Sequence, residues 1–445
     1  MLMRNPNLTV PQIKTELPGP KARKIIAKDE RATSPSYTRE YPLVVSHGLG
    51  AMIDDVDGNR FLDFTAGIAV CSTGHCHPLV VEAIKQQASQ FLHMSGTDFY
   101  YQPQADLANR LAKVAPGKSK KRVFFTNSGA ESVEAAIKLA RYHTKRQRLI
   151  AFTGAFHGRT MGAVSLTASK SIQREGFGPL VPGVTHIPYA NCGSCPVGKN
   201  YGECAIDCVD TLENLFRTVA PPEEVAAIVV EPIQGEGGYI VPPSEFHPRL
   251  KALAEQHGIL YVVDEVQAGM GRTGKMFAIE HWGVEPDIIC TAKGIASGMP
   301  LGAIIAKEHV MDWPPGAHAS TFGGNPISCA AALATLDLLE DELIENAKEV
   351  GDYLIEELQQ LADRHLLIGD VRGKGLMVGM DVIRADGEPD PVTRDELIQL
   401  CFANGLLLLG AGRSTIRFCP PLVIDKTDVD TAISILDDVL GVKGW

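Results

Sequence analysis

The segments ILYVVD at residues 259–264 and DIICTAK at residues 287–293 are short apolar runs, each ending in a side chain able to do chemistry, Asp264 and Lys293. They belong to a series. Apolar strands are read at Arg122–Thr126, Leu149–Phe152, Ala227–Val230, Leu260–Val263, Ile288–Thr291 and Gly302–Ala306, with helical patterns between them. Strands alternating with helices in this way specify an α/β protein built on a mostly parallel sheet. In such sheets the ligand crevice lies outside the carboxyl ends of the strands. Glu231, Asp264 and Lys293 each follow one of these strands, so the three are expected to converge at one sheet edge.

Residues 78–330 thus read as a large α/β domain. Before it, residues 1–77 divide in two. Residues 1 to about 40 mix Pro, Lys, Arg and polar residues without period and read as an arm over the core or over a partner subunit. Gly48–Phe64 alternates polar and apolar residues around the turn Asp57-Gly58-Asn59, which predicts a small, peripheral antiparallel strand pair. Residues 331–445 read as a smaller C-terminal α+β domain, entered through a helical stretch over Pro326–Leu361. Its strands are expected near Gly369–Val382 and Thr415–Phe418, and its last helix from Lys426 to Leu440.

Composition narrows the function. With 45% hydrophobic and 21% charged residues, the 445-residue chain is neither disordered, collagenous nor a coiled coil. A formal charge of −11 argues against a broad nucleic-acid footprint, so an anionic substrate must be met by local arginines. No apolar run approaches the roughly 18–20 residues needed to cross a bilayer, and Met1 to Thr15 lacks the apolar region of a signal peptide; the expected compartment is the cytoplasm. Ten cysteines are too sparse for a disulfide scaffold.

Asp264 closes an apolar strand, where a carboxylate is costly unless a cation or a donor meets it. A protonated pyridine nitrogen would suit it, because an Asp partner lets the ring of pyridoxal 5'-phosphate act as an electron sink. A structural carboxylate that binds nearby amides is the plainer alternative. Lys293 follows its strand directly and precedes glycine and small residues; burial there would expose the neutral amine needed for a Schiff base and for proton transfer. Asn127-Ser128-Gly129-Ala130-Glu131-Ser132 reads as a strand-to-helix turn whose first amides make an anion site for a phosphate, although Ser128 with Glu131 is also an ordinary capping box. Thr321, in STFGGNP, is a further candidate hydroxyl donor. Phe156-His157-Gly158-Arg159 brings a flat ring and a guanidinium near the same edge, and Arg159 and Arg417 are candidates for carboxylate recognition, or for ion pairs with Glu231.

These segments, in this order and spacing, resemble the class III aminotransferases of fold type I: Ser128-Gly129-Ala130-Glu131, Phe156-His157-Gly158-Arg159-Thr160, Glu231-Pro232-Ile233-Gln234-Gly235-Glu236-Gly237, Asp264-Glu265-Val266-Gln267, Lys293 and Thr321. The resemblance runs from Pro18 to the segment at Arg417. It implies a homodimer with the active site at the interface, Thr321 reaching the phosphate held by the other subunit. It further implies Gly129 and Ala130 at the phosphate, Phe156 and the adjoining His157 at the cofactor ring, Gln267 at the ring hydroxyl and Asp264 at the ring nitrogen. In the branch that handles 4-aminobutyrate, Ile68 and Arg159 contact the substrate, and Glu231 pairs with Arg417 until Arg417 is released to take the α-carboxylate of glutamate.

Other signals weigh less. Gly269–Gly274 fits G-x-G-x-x-G, but no helix opens after it and no acidic residue closes a later strand, so a dinucleotide site is rejected. Gly193–Lys199 has Asn200 where a P-loop needs Ser or Thr. His75-Cys76-His77 falls where the family has a loop near the cofactor. Cys192, Cys195, Cys204 and Cys208 are spaced as a candidate tetrahedral sulfur site for structural zinc or an iron–sulfur cluster, with reduced thiols the plainer alternative. The function expected overall is amino transfer from an ω-amino acid of the 4-aminobutyrate kind to 2-oxoglutarate. Ornithine or acetylornithine aminotransferase, an amino-acid racemase using the same proton removal, and a binding protein that has kept the fold are the alternatives.

Overall fold

The structure is a computed structural model that describes residues 10–442. Val45–Leu49 (β1), Met52–Asp55 (β2) and Arg60–Asp63 (β3) form an antiparallel set, with the β2–β3 turn where Asp57-Gly58-Asn59 predicts it. The pair is not peripheral: Phe61, Leu62 and Phe64 are fully buried. Asp55 closes the turn by accepting from the amides of Asp57 and Asn59 and from the Asn59 side chain, so the sequence signal for the turn is realised through carboxylate hydrogen bonds.

The central sheet contains Lys121–Thr126 (β4), Arg148–Phe152 (β5), Val184–Ile187 (β6), Val225–Val230 (β7), Leu260–Asp264 (β8), Ile288–Thr291 (β9) and Gly302–Lys307 (β10), in the order β4-β10-β9-β8-β7-β5-β6. Strands β9, β8, β7, β5 and β6 pair in parallel, while β10 runs antiparallel to both of its neighbours. All six expected strands are present; β6 is an additional edge strand. Alternate residues serve opposite faces. Leu149, Ala227, Val229, Leu260, Val262, Ile288 and Ile304 enter one hydrophobic cluster, and Ile150, Ile228, Val230, Tyr261, Val263, Ile289 and Ile305 enter the other. Burial on both faces is why these strands read as continuous apolar runs rather than as an alternation of apolar and polar residues.

A third sheet of Ile368–Lys374 (β11), Met377–Val382 (β12), Leu409–Ala411 (β14) and Thr415–Phe418 (β15) is ordered β11-β12-β15-β14, and the two-residue strand Leu406–Leu407 (β13) pairs in parallel with β3 instead. The helical stretch expected over Pro326–Leu361 consists of helices Pro326–Leu338 and Ile344–Ala362, joined by a π-helical turn at Leu339–Leu343. The last helix spans Lys426–Val442. Among the described residues no helix is long and apolar enough to cross a membrane.

Candidate functional site

Helix Gly129–Thr144 follows β4, and its start is tightly specified. Ser128 Oγ caps the helix by accepting from the Glu131 amide at 3.3 Å, while Glu131 Oε2 accepts from the amide of Asn127, one residue before the cap, at 2.8 Å, so only the serine half of the expected capping box is formed. The amides of a helix's first turn have no intrahelical acceptor, and Gly129 and Ala130 line a cavity of ≈ 420 Å³. The loop after β5 packs directly against this turn. Gly158 has φ +131°, and a Cβ on it would meet Ala130 Cβ at 2.7 Å, so the approach requires glycine.

The same cavity is lined by Phe156, His157, Arg159, Glu231, Asp264, Gln267 and Lys293. The expected convergence at the carboxyl ends of β7, β8 and β9 is therefore present. Asp264 is buried and bound from two sides: His157 Nδ1 lies 2.7 Å from Oδ2, and the Val266 amide donates to Oδ1 at 3.0 Å. Burial opposes charge on His157, but the hydrogen bond and the charge of Asp264 outweigh it and raise its hold on the second proton. Burial holds the Lys293 amine below the usual lysine range, with the charge of Asp264 acting in the opposite sense. Lys293 also has φ +43° in the turn after β9, a left-handed conformation unusual for a side chain of this size. The Arg159 guanidinium lies 5.6 Å from the centroid of the Phe156 ring.

Glu231 and Arg417 are not partners here. Glu231, at the end of β7, accepts from the Phe156 amide at 3.1 Å and the Gly235 amide at 3.0 Å, and burial pushes its carboxyl up to about 7. Arg417, on β15, pairs instead with Glu236 at 3.3 Å, and Glu236 also binds Lys170 at 2.7 Å. The physical reason is the turn between the two carboxylates. Glu231 is committed to the amides beneath it, whereas Glu236 lies beyond the turn and faces β15. Sequence reasoning missed Glu236 although it stands in the same segment; its carbonyl accepts from the Gly412 amide at 2.9 Å, which holds it beside the turn between β14 and β15.

Three expected site residues lie elsewhere. Thr321 is exposed and outside the cavity lining, although its neighbour Ser320 accepts from Asn127 Nδ2 at 3.1 Å. Ile68, 48% exposed with φ +68°, and Arg417 are also outside that lining; Val70 lines it near Ile68. Cys192 is exposed, Cys195 and Cys204 are half-buried and Cys208 is buried. Among the described residues no group of three or more His, Cys, Asp or Glu side chains is placed to hold a metal ion, so neither the zinc nor the iron–sulfur expectation has support. The G-x-G-x-x-G segment is a buried turn in which Arg272 donates to the carbonyls of Leu376 and Pro420.

Comparison with known proteins shows the family. The family model described as aminotransferase class-III matches residues 33–440. Acetylornithine aminotransferase of Methanopyrus kandleri is 44% identical, over 95% of this chain and 100% of that protein. Alanine/serine racemase of Pyrococcus horikoshii is 40% identical, over 96% and 92%, and 4-aminobutyrate aminotransferase of Mycobacterium leprae is 37% identical, over 97% and 98%. Among solved structures, an amine transaminase from an uncultivated Pseudomonas species in its PLP-bound form superposes with a TM-score of 0.85 at 32% identity, covering 92% of this chain and 98% of that one.

Proposed function

Since the chain belongs to the class-III aminotransferase family, we propose that it uses pyridoxal 5'-phosphate to move an amino group from an ω-amino acid of the 4-aminobutyrate kind to 2-oxoglutarate. The observation that carries the substrate reading is the state of Arg417, a buried guanidinium with one carboxylate partner, Glu236, and an unsatisfied Nε. While Glu236 neutralises it, the carboxylate of an ω-amino donor is left to Arg159. When Glu236 lets go of Arg417 and keeps Lys170, Arg417 offers a two-pronged site to the α-carboxylate of the other substrate. One pocket thereby accepts two acids whose carboxylates lie at different distances from the amine.

The residues present fit the cofactor. Gln267 Oε1 is buried without a partner in the cavity, which gives the ring hydroxyl a recipient. Gly129 and Ala130 hold the phosphate at a helix start. Asp264, oriented by His157, meets the ring nitrogen, and Phe156 covers the ring face. When bound, the cofactor supplies an electron sink for the carbanion at the amine-bearing carbon. Lys293 Nζ, whose hold on its proton burial weakens, is the amine that would anchor the cofactor and would take the proton from that carbon and hand it on. Thr321 completes the phosphate site of a second copy in a homodimer.

Likeness to both a racemase and acetylornithine aminotransferases supports two rival uses of this machinery: returning the proton to the opposite face of the same carbon, or taking a longer ω-amino donor. One experiment separates them. Holoenzyme is mixed with 4-aminobutyrate, acetylornithine or L-alanine in heavy water without keto acid, and its visible spectrum is followed. Conversion of the cofactor band to that of its amine form by 4-aminobutyrate supports the proposal. Conversion by acetylornithine alone redirects the donor, and inversion of L-alanine with deuterium uptake but no pyruvate identifies a racemase.

A further inference from the structure

Glu236 is held between two cations, with Oε1 2.7 Å from Lys170 Nζ and Oε2 3.3 Å from Arg417 Nη1. The two bonds are unequal. A charged N–H···O bond is ordinarily about 2.7–2.9 Å long, so the bond to Lys170 is full and the one to Arg417 is stretched. The surroundings differ as well: the Arg417 side chain is buried, that of Glu236 is 18% exposed and that of Lys170 is 44% exposed. A carboxylate so far withdrawn from water needs a cation in whichever position it takes. Among the described residues, Lys170 and Arg417 are the two cations paired with it.

Neither backbone is free to follow a change of partner. The Gly412 amide donates to the Glu236 carbonyl at 2.9 Å, and a Cβ on Gly237 would meet the Gly154 carbonyl oxygen at 2.7 Å, so the turn carrying Glu236 is pressed onto the loop after β5. Lys170 follows a stretch tied to that same loop. The Gly154 amide donates to the Ala168 carbonyl at 3.1 Å, the Ala168 amide donates to the Ala155 carbonyl at 2.8 Å, and Thr167 Oγ1 accepts from the His157 amide at 2.9 Å. Glu236 and Lys170 are thus both anchored on the loop that carries Phe156 and His157, and Glu236 changes partner by side-chain rotation alone. A substrate with two carboxylates needs Arg417 free, which leaves Lys170 as the remaining partner of Glu236.

We propose that Lys170 is a specificity-determining residue: by holding Glu236 while Arg417 takes a substrate carboxylate, it sets the balance between dicarboxylic and ω-amino substrates. This rests on the reading of Arg417 and Glu236 given above. Without Lys170, Glu236 has Arg417 as its one cation, and releasing Arg417 strands a largely buried carboxylate without a partner. A dicarboxylic acid must overcome that penalty in order to bind. A monocarboxylate held at Arg159 asks for no release and does not meet it. Lys170 acts through Glu236 and makes no bond to the substrate itself.

The test compares calorimetric binding of glutarate, an inert dicarboxylate, and of the monocarboxylate pentanoate to the holoenzyme, alongside the glutamate and 4-aminobutyrate half-reactions followed by absorbance. In Lys170→Met the preference for glutarate over pentanoate, and for glutamate over 4-aminobutyrate, should fall about 5-fold, the scale of a partly exposed ion pair. Lys170→Arg should restore the preference, and Lys170→Glu should lower it further. In a Glu236→Ala background the effect of Lys170→Met should vanish, because it passes through that carboxylate. An unchanged preference in Lys170→Met, equal losses for both classes of acid, or a shift that persists without Glu236 overturns the proposal. Glu236→Ala by itself keeps the two questions apart. If it lowers both half-reactions equally, the gating reading fails and the role of Lys170 with it; if it splits them while Lys170→Met leaves the preference unchanged, the role of Lys170 alone is lost.

Discussion

Two carboxylates five residues apart in sequence, Glu231 and Glu236, do different work, and substitution should separate them. Removing Glu236 leaves the buried Arg417 uncompensated, so Glu236→Ala should cost the ω-amino half-reaction roughly 10- to 100-fold in kcat/KM, in line with about 1.5–3 kcal/mol for a charged hydrogen bond. The half-reaction with glutamate, for which Arg417 has to be free, should change far less; equal losses in both would refute the gating role. Lys293→Ala should lower single-turnover amino transfer by about 10³–10⁴-fold or more, the scale of a lost proton-transfer group, and undiminished turnover would end the whole account. Lys293 and Asp264 were legible because each terminates an apolar strand. The partner of Arg417 was not, since nothing local in EPIQGEG says which of its carboxylates the turn carries toward β15.

At the scale of elements, the segment after β8 is pinned by Glu265, which accepts from the amides of Ala278 at 3.0 Å and Ile279 at 2.8 Å. Burial pushes this carboxyl up from 4.5 to about 8. A carboxyl with a raised folded-state pKa binds its proton more tightly in the native protein than in the unfolded chain. Its contribution is full below pH 4.5 and is lost as the pH climbs to about 8. Glu265→Gln should therefore flatten the decline of the thermal midpoint across that window, and parallel profiles for the two proteins would exclude Glu265 as its source. Gly158→Ala forces a side chain into both a positive φ and the Ala130 Cβ, and should weaken pyridoxal phosphate binding at least ~10-fold by displacing the helix start. Unchanged affinity in a cofactor titration would show that the loop and the helix move independently. The long buried strands were readable from their apolar runs, whereas β6, an edge strand reading VTHI, carries too little apolar pattern to stand out. Helix Pro391–Ala403 went unread although its Asp390-Pro391 start and its buried Leu397, Ile398, Cys401 and Phe402 at helical spacing mark it.

For the molecule as a whole, the least economical surface is the one around Thr321. Tyr100 is fully exposed, and Phe99, Leu92 and Phe322 are each more than half exposed. Tyr100 and the segment around Ser320 line one cleft of ≈ 720 Å³. A patch of this kind calls for a partner surface, and a second copy would bring Thr321 to the neighbouring phosphate. Light scattering should give the mass of two chains. Tyr100→Glu/Phe322→Glu should yield a monomer that also binds the cofactor more weakly, whereas a wild-type monomer with full cofactor affinity would contradict the shared site. A single sequence shows that such aromatic residues exist, but not that they gather on one face. The folding pattern that gathers them also has a consequence for synthesis. Strand β3 finds its parallel neighbour β13 only at Leu406–Leu407, 344 residues after Leu62. At roughly 5–20 residues per second of translation, that edge waits on the order of 20–70 s beside the ribosome with its hydrogen-bonding groups unmatched. The nascent chain is thus most open to misassembly at its N-terminal sheet, and an early stop codon anywhere before Leu406 would leave that sheet without its fourth strand.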